Sequence, residues 1–157
     1  MTDAEFQIRV SYNYHKKRER FFRLLDAAGK FVSILALSAL ITKSNALSVS
    51  FAGFSAIVTI LSVVFDFSGS ASRHESLAVD FLDVLRRLVA KEISAEQAGS
   101  CCREIGAREP TVLRGLAQLC QDEQEAALGQ HVEPSRLGLR RRIAAHLGFG
   151  DRPIDYV

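Results

Sequence analysis

The stretch ALSVSFAGFSAIVTILSVVFDFSGS, Ala46 to Ser70, decides how the rest of this 157-residue chain is read. It contains most of an uncharged run from Ser44 to Phe65. As a helix that run is about 33 Å long, enough to cross the roughly 30 Å hydrocarbon layer of a bilayer. Hydroxyl residues nevertheless recur in it, at Ser48, Ser55, Thr59 and Ser62, and Asp66 follows. At 100° per residue these five and Ala52 fall within about 80° of one another, so they share one helix face. Ile57, Ile60, Leu61 and Val64 lie elsewhere on the circumference.

Moving outward, Lys43 is the only charged residue between Lys30 and Asp66. Such a partition of charge into the flanks predicts membrane spans rather than a water-soluble core. The preceding apolar core, Phe31 to Thr42, covers only about 18 Å, but Ala27 to Ser44 covers about 27 Å if Lys30 snorkels to the interface. Gly29, Ser33 and Ala36 recur there at i, i+4, i+7, the small-residue spacing that lets membrane helices approach. With Lys43-Ser44-Asn45-Ala46 as a tight turn, the two spans form a hairpin. The N-terminal flank carries Arg9, Lys16, Lys17, Arg18, Arg20, Arg23 and Lys30 against Asp3, Glu5, Glu19 and Asp26. An excess of Lys and Arg of this kind places both termini in the cytoplasm. The chain is then expected to be a multi-pass inner-membrane protein.

The fold class expected is an all-α membrane protein: a two-helix transmembrane hairpin with a long second helix and a small cytoplasmic helical region. Residues 1–26 form a basic helix, 27–66 the hairpin (about 27–44 and 46–66), 67–93 a continuation of the second helix loosened at Gly69, and 94–157 a C-terminal helical region. In the continuation, Leu77, Phe81, Leu85 and Leu88 keep one apolar stripe. Ser94 with Gln97 fits a capping box, Pro110 opens a helix ended by Gly129, and Pro134 opens another ended by Gly148. A soluble bundle with a buried central pair is the alternative, but two helices apolar all round leave little polar surface for a chain of this size. A signal peptide ending near Ser44-Asn45-Ala46 is a weaker reading, since cleavage would open the mature chain directly into a second apolar span.

Basic residues at the membrane edge, Arg18, Arg20, Arg23 and Lys30, suit anionic headgroups. Arg140, Arg141 and Arg142 either do the same or face water while Leu137, Ile143, Ala144 and Leu147 pack on other helices. A net charge of +2 gives no general reason to expect nucleic acid. Cys101, Cys102 and Cys120 have no metal-ligand spacing and read as reduced, packed thiols. His74 beside Glu75 reads either as a proton sensor or, more commonly for such a position, as a solvated helix side chain. His15, His131 and His146 are dispersed and point to no site. There is no GxGxxG, P-loop, GxSxG or HExxH, so no enzyme activity, metal or cofactor is expected.

The hydroxyl face has two physical uses. In a homo-oligomer, Ser48, Ser55, Thr59, Ser62 and Asp66 would line a wet path, with Asp66 favouring cations. Alternatively the small polar residues mediate helix packing. The segments SYNYHKKRERFF before the first span and SASRHESLAVDFLDVLRRL after the second, with the short-turn hairpin between them, resemble the SLATT proteins over about Arg9 to Leu88. These are two-transmembrane domains associated with nucleotide-synthesising or nucleotide-sensing partners in bacterial defence. The resemblance implies a pore-forming or membrane-disrupting effector that oligomerises and is triggered by a protein or nucleotide partner. It assigns no role to any particular residue. The function expected is therefore a permeabilising or ion-conducting oligomer in the inner membrane. The alternatives are a non-conducting anchored module that recruits a partner, or a holin-like phage protein.

Overall fold

The computed structural model describes residues 1–41, 45–130, 132, 143, 145 and 146; within these, nothing is described of the side chains of 36, 37, 39–41, 45–52, 62 and 63. Between residues 1 and 130 the described residues form, in order, α1 (Asp3–Ile41), α2 (Asn45–Phe65), α3 (Phe67–Val89), α4 (Ala95–Gly106) and α5 (Arg114–Ala127). The chain is all-helical, with no strand among the described residues. It divides into two compact units, one of residues 1–18 with 74–157 and one of residues 19–73.

In the first unit, the apolar stripe read from α3 is buried. Leu77, Phe81, Val84 and Leu85 pack with Ile8 of α1 and with Ala98 and Ile105 of α4. A second cluster gathers Tyr14, Leu116, Leu119, Cys120 and Ala145. Local chemistry sets the start of α4 and the end of α5 as the sequence predicts. Ser94 Oγ accepts from Gln97 N–H while Gln97 Oε1 accepts from Ser94 N–H, which satisfies two donors at the helix start. Gly129, at φ +78, follows the end of α5 and adopts the left-handed conformation that glycine adopts without strain.

Pro110 does not open α5. The helix begins at Arg114, because the Leu113 N–H donates to Tyr14 Oη at 3.0 Å and Leu113 packs on the second cluster. That contact holds Leu113 extended, so the first turn forms beyond it. The helix expected from Pro134 lies largely outside the described residues, as do Arg140, Arg141 and Arg142; Ile143, Ala145 and His146 are helical. Ala145 is buried in the second cluster.

In the second unit, three expectations are corrected. The basic N-terminal helix and the first span are one helix, α1, with no break near residue 26. Lys43 and Ser44 of the expected turn lie outside the described residues, but Asn45 and Ala46 already belong to α2. The second helix is also not continuous: α2 ends at Phe65 and α3 starts at Phe67. The break is at Asp66, whose φ is +41, not at Gly69. Asp66 Oδ1 accepts from the Gly69 N–H at 3.1 Å, so the carboxylate caps the N-terminus of α3 and complements its dipole. A Cβ at position 69 would lie 2.0 Å from Asp66 Oδ2, so a side chain there would displace the carboxylate from its present position. Downstream, α3 stops at Val89 rather than 93, with Lys91 at φ +59 in the turn that follows.

Three ion pairs run along α1 at i, i+4 with the acid first: Glu5 with Arg9, Glu19 with Arg23 and Asp26 with Lys30. This orientation favours the helix by a few tenths of a kcal/mol per pair. Beyond Lys30, large apolar side chains point outward. Phe31, Ile34 and Leu35 of α1 and Phe54, Ile57, Ile60, Leu61, Val64 and Phe65 of α2 are exposed, from 44% at Leu61 to 70% at Val64. Among the described residues no helix is long and apolar enough to cross a membrane. The described side chains of α2 are those of residues 53–61, 64 and 65, while the helix as a whole has 21 residues and none of them is charged.

Candidate functional site

A helical stripe explains why two histidines are buried. His15 lies on the α1 face marked by Ile8 and Tyr12, at i+7 and i+3, and His74 precedes Leu77 and Phe81 on the buried face of α3 by one and two turns. Packing these two faces together brings the rings into contact although 59 positions separate them. His15 is 1% exposed and His74 3%. His74 is therefore not a solvated helix side chain, and His15 is not a dispersed one.

The geometry is specific. His15 Nδ1 lies 2.8 Å from His74 Nδ1, and His15 Nε2 lies 2.8 Å from Glu109 Oε1 in the segment between α4 and α5. Phe81 stacks on His15 with centroids 5.5 Å apart and planes 14° apart, and Tyr14 meets both imidazoles edge-on. The Tyr14 hydroxyl in turn holds Leu113. Burial pushes the Tyr14 phenol above its ordinary value; the hydrogen bond from Leu113 and the charge of Arg18 oppose this.

Both ring nitrogens of His15 are engaged, so it has neither a lone pair nor an N–H left for a substrate. Among the described residues no group of three or more His, Cys, Asp or Glu side chains is placed to hold a metal ion. The arrangement instead joins three elements of one unit, α1, α3 and the α4–α5 segment, through groups whose proton content can change.

Beside it lies a second polar cluster. Arg18 Nη1 donates to the His146 carbonyl at 3.0 Å, and Lys17 is ion-paired with Glu123. Burial lowers the pKa of both Arg18 and His146; Arg18 and Lys17 lower that of His146 further. Arg18, read as a headgroup ligand, is thus tied to the protein's own backbone. Arg20 is exposed, and Arg23 and Lys30 are exposed within their i, i+4 pairs.

No family model, curated protein or solved structure matches this chain.

For the hydroxyl face, Ser48 and Ser62 have side chains outside the described residues, and Ser55 is half-buried. The Thr59 hydroxyl lies 3.3 Å from the Ser33 hydroxyl, and Ser33 also donates to the Gly29 carbonyl. At Thr59, then, the hydroxyl face of α2 meets the small-residue face of α1. The sequence signal for the histidine pair was present in their helical phase with apolar neighbours; the role of Glu109 had no local signal.

The thiols supply a test of this unit. Cys120 is fully buried, and burial raises it from an ordinary value of 9.0 to about 11; Cys101 and Cys102 are half-buried against the first cluster. A thiol held above its unfolded value favours the fold fully below pH 9.0 and loses that contribution as pH rises through about 11. Buried Tyr14, also raised, acts with the same sign above its ordinary value of 10.0. The expected outcome is that a thiol reagent at neutral pH modifies Cys101 and Cys102 but spares Cys120. Stability should then fall as pH rises past about 9, more gently in Cys120→Ala. Peptide mass mapping after labelling checks the first statement and denaturant midpoints against pH the second.

Proposed function

We propose that the hairpin of α1 and α2 is inserted in a membrane and that copies of the chain associate there to change its permeability, with the helical unit on the cytoplasmic side. The observation that carries this reading is the belt of exposed large apolar side chains on residues 31–35 and 54–65. Left in water, such a belt costs about 25 cal/mol per Å² of apolar surface, and contiguous patches of this kind mark membrane or partner contacts. The uncharged 21-residue α2, about 32 Å long, supports the same reading. So do the Lys and Arg excess before it and the layout shared with SLATT proteins. In the assembly, the hydroxyl face read from the sequence as Ser48, Ser55, Thr59 and Ser62 would line the conducting path, and Asp66, just beyond the end of α2, would sit at its mouth.

One observation favours a second reading, a membrane-anchored module that makes no pore. The contact between Ser33 and Thr59 gives one member of the hydroxyl face a partner within its own hairpin, as packing alone requires.

Ion and dye release from vesicles holding the full chain, compared with Thr59→Leu, decides between them. Release that the leucine variant abolishes while still floating with the vesicles supports conduction. Vesicles that stay sealed with inserted wild-type protein favour the anchored module.

A further inference from the structure

The geometry of the histidine pair limits how many protons it can hold. At 2.8 Å, one proton and only one fits between the facing Nδ1 atoms of His15 and His74. A second proton is held between His15 Nε2 and the Glu109 carboxylate. With His15 protonated at Nε2 and His74 at Nδ1, both rings are neutral and the contact is complete. Adding one proton makes one ring an imidazolium, and the contact survives because the other ring still offers its lone pair at Nδ1. Glu109, 2.8 Å from His15, then balances the charge. Adding another makes both rings cationic with two N–H groups directed at each other, and the contact cannot survive.

We propose that His15 and His74 form a proton-operated latch that stays closed with up to one added proton and opens on the second, freeing α1 from α3 within the helical unit. The titratable and charged groups around it are Glu109 from the α4–α5 segment, Tyr14 from α1, with Arg18 and Cys120 within electrostatic reach of Tyr14, and Glu75 next to His74 in α3. Phe81 covers one face of His15 and keeps water from the pair. The latch joins the two helices that lead into and out of the hairpin: α1 continues to Ile41, and α3 begins just after Asp66. Acidification would therefore release the hairpin's two stems from each other, and this use of the latch as a trigger rests on the membrane reading above. Histidine suits the task because it changes charge between about pH 5 and 8.

The test is amide hydrogen exchange of the full chain in vesicles, corrected for intrinsic pH dependence and followed from about pH 7.5 to about pH 5. Opening coupled to net uptake of one proton raises exchange in residues 8–19 and 74–85 by about tenfold per pH unit. In His74→Asn the amide can offer its N–H to neutral His15 or, turned over, its oxygen to protonated His15, and it takes up no proton of its own, so this dependence is expected to vanish. Exchange that ignores pH in the wild type, or that rises equally in His74→Asn, overturns the latch. Should His74→Asn be loose already at neutral pH, Glu109→Gln decides: losing the balancing carboxylate moves opening to higher pH, and an unmoved midpoint overturns the proposal. Flotation of the same samples separates the two readings. A chain that does not float removes the membrane reading and leaves the latch result standing; one that floats with pH-independent exchange removes the latch alone.

Discussion

Phe81→Ala is expected to destabilise the helical unit by about 3–5 kcal/mol, the usual range for emptying a buried phenylalanine site. Phe81 is 3% exposed in the cluster shared by α1, α3 and α4, and its ring covers His15. Truncation therefore does two things at once. It leaves a cavity among Ile8, Leu77 and Leu85, and it opens the face of a hydrogen-bonded imidazole to water. A loss of this size is a large part of the roughly 5–15 kcal/mol that stabilises an ordinary domain. Phe81→Leu keeps most of the volume and loses the stacking, so about 1–1.5 kcal/mol is expected. Protection of Cys120 against a thiol reagent, followed across a denaturant series, reads both values. A shift under about 1 kcal/mol for the alanine variant would mean that the first cluster collapses around the gap, against the close packing described.

Ile57→Arg has the second large expected effect. Ile57 is 58% exposed and lies near the middle of α2. At the centre of a membrane helix, arginine costs about 2.5–3.5 kcal/mol and the lost isoleucine about 0.3–0.6 kcal/mol more. Together these shift insertion by about a hundredfold to a thousandfold. In water the same change at an exposed position stays within about 0.5 kcal/mol and improves solubility. Flotation with vesicles should therefore fall sharply in the variant. A variant that floats as well as the wild type would show that this face of α2 does not meet lipid.

What could be read from the sequence followed the range of the interaction concerned. The Ser94 and Gln97 capping box, the stop at Gly129 and the stripe through Leu77, Phe81 and Leu85 depend on residues within a few positions of one another, and each stands in the structure as read. Pro110 was a sound local signal for a helix start, but Tyr14, 99 positions from Leu113, took the N–H and delayed the helix. The pairing of His15 with His74 and Glu109 spans 59 and 94 positions, and no local pattern specifies it. By sequence alone Asp66 reads as a charge at a membrane edge. Its other property, a short acceptor side chain that tolerates positive φ and caps a following helix, decided the break between α2 and α3.

That break has a consequence for how the sequence can drift. Aspartate is held at position 66 by a left-handed backbone and by a hydrogen bond to a residue where a Cβ would meet the carboxylate as it now stands. A mutation that gives residue 69 a Cβ drives the carboxylate off, and one that removes the carboxylate leaves the helix start uncapped. A single change at either position disturbs the present cap, whereas a joint change can cap the helix in another way. Across diverging descendants of this chain, residues 66 and 69 should thus be inherited as one character, substituted together or retained together, whatever happens to the residues between them.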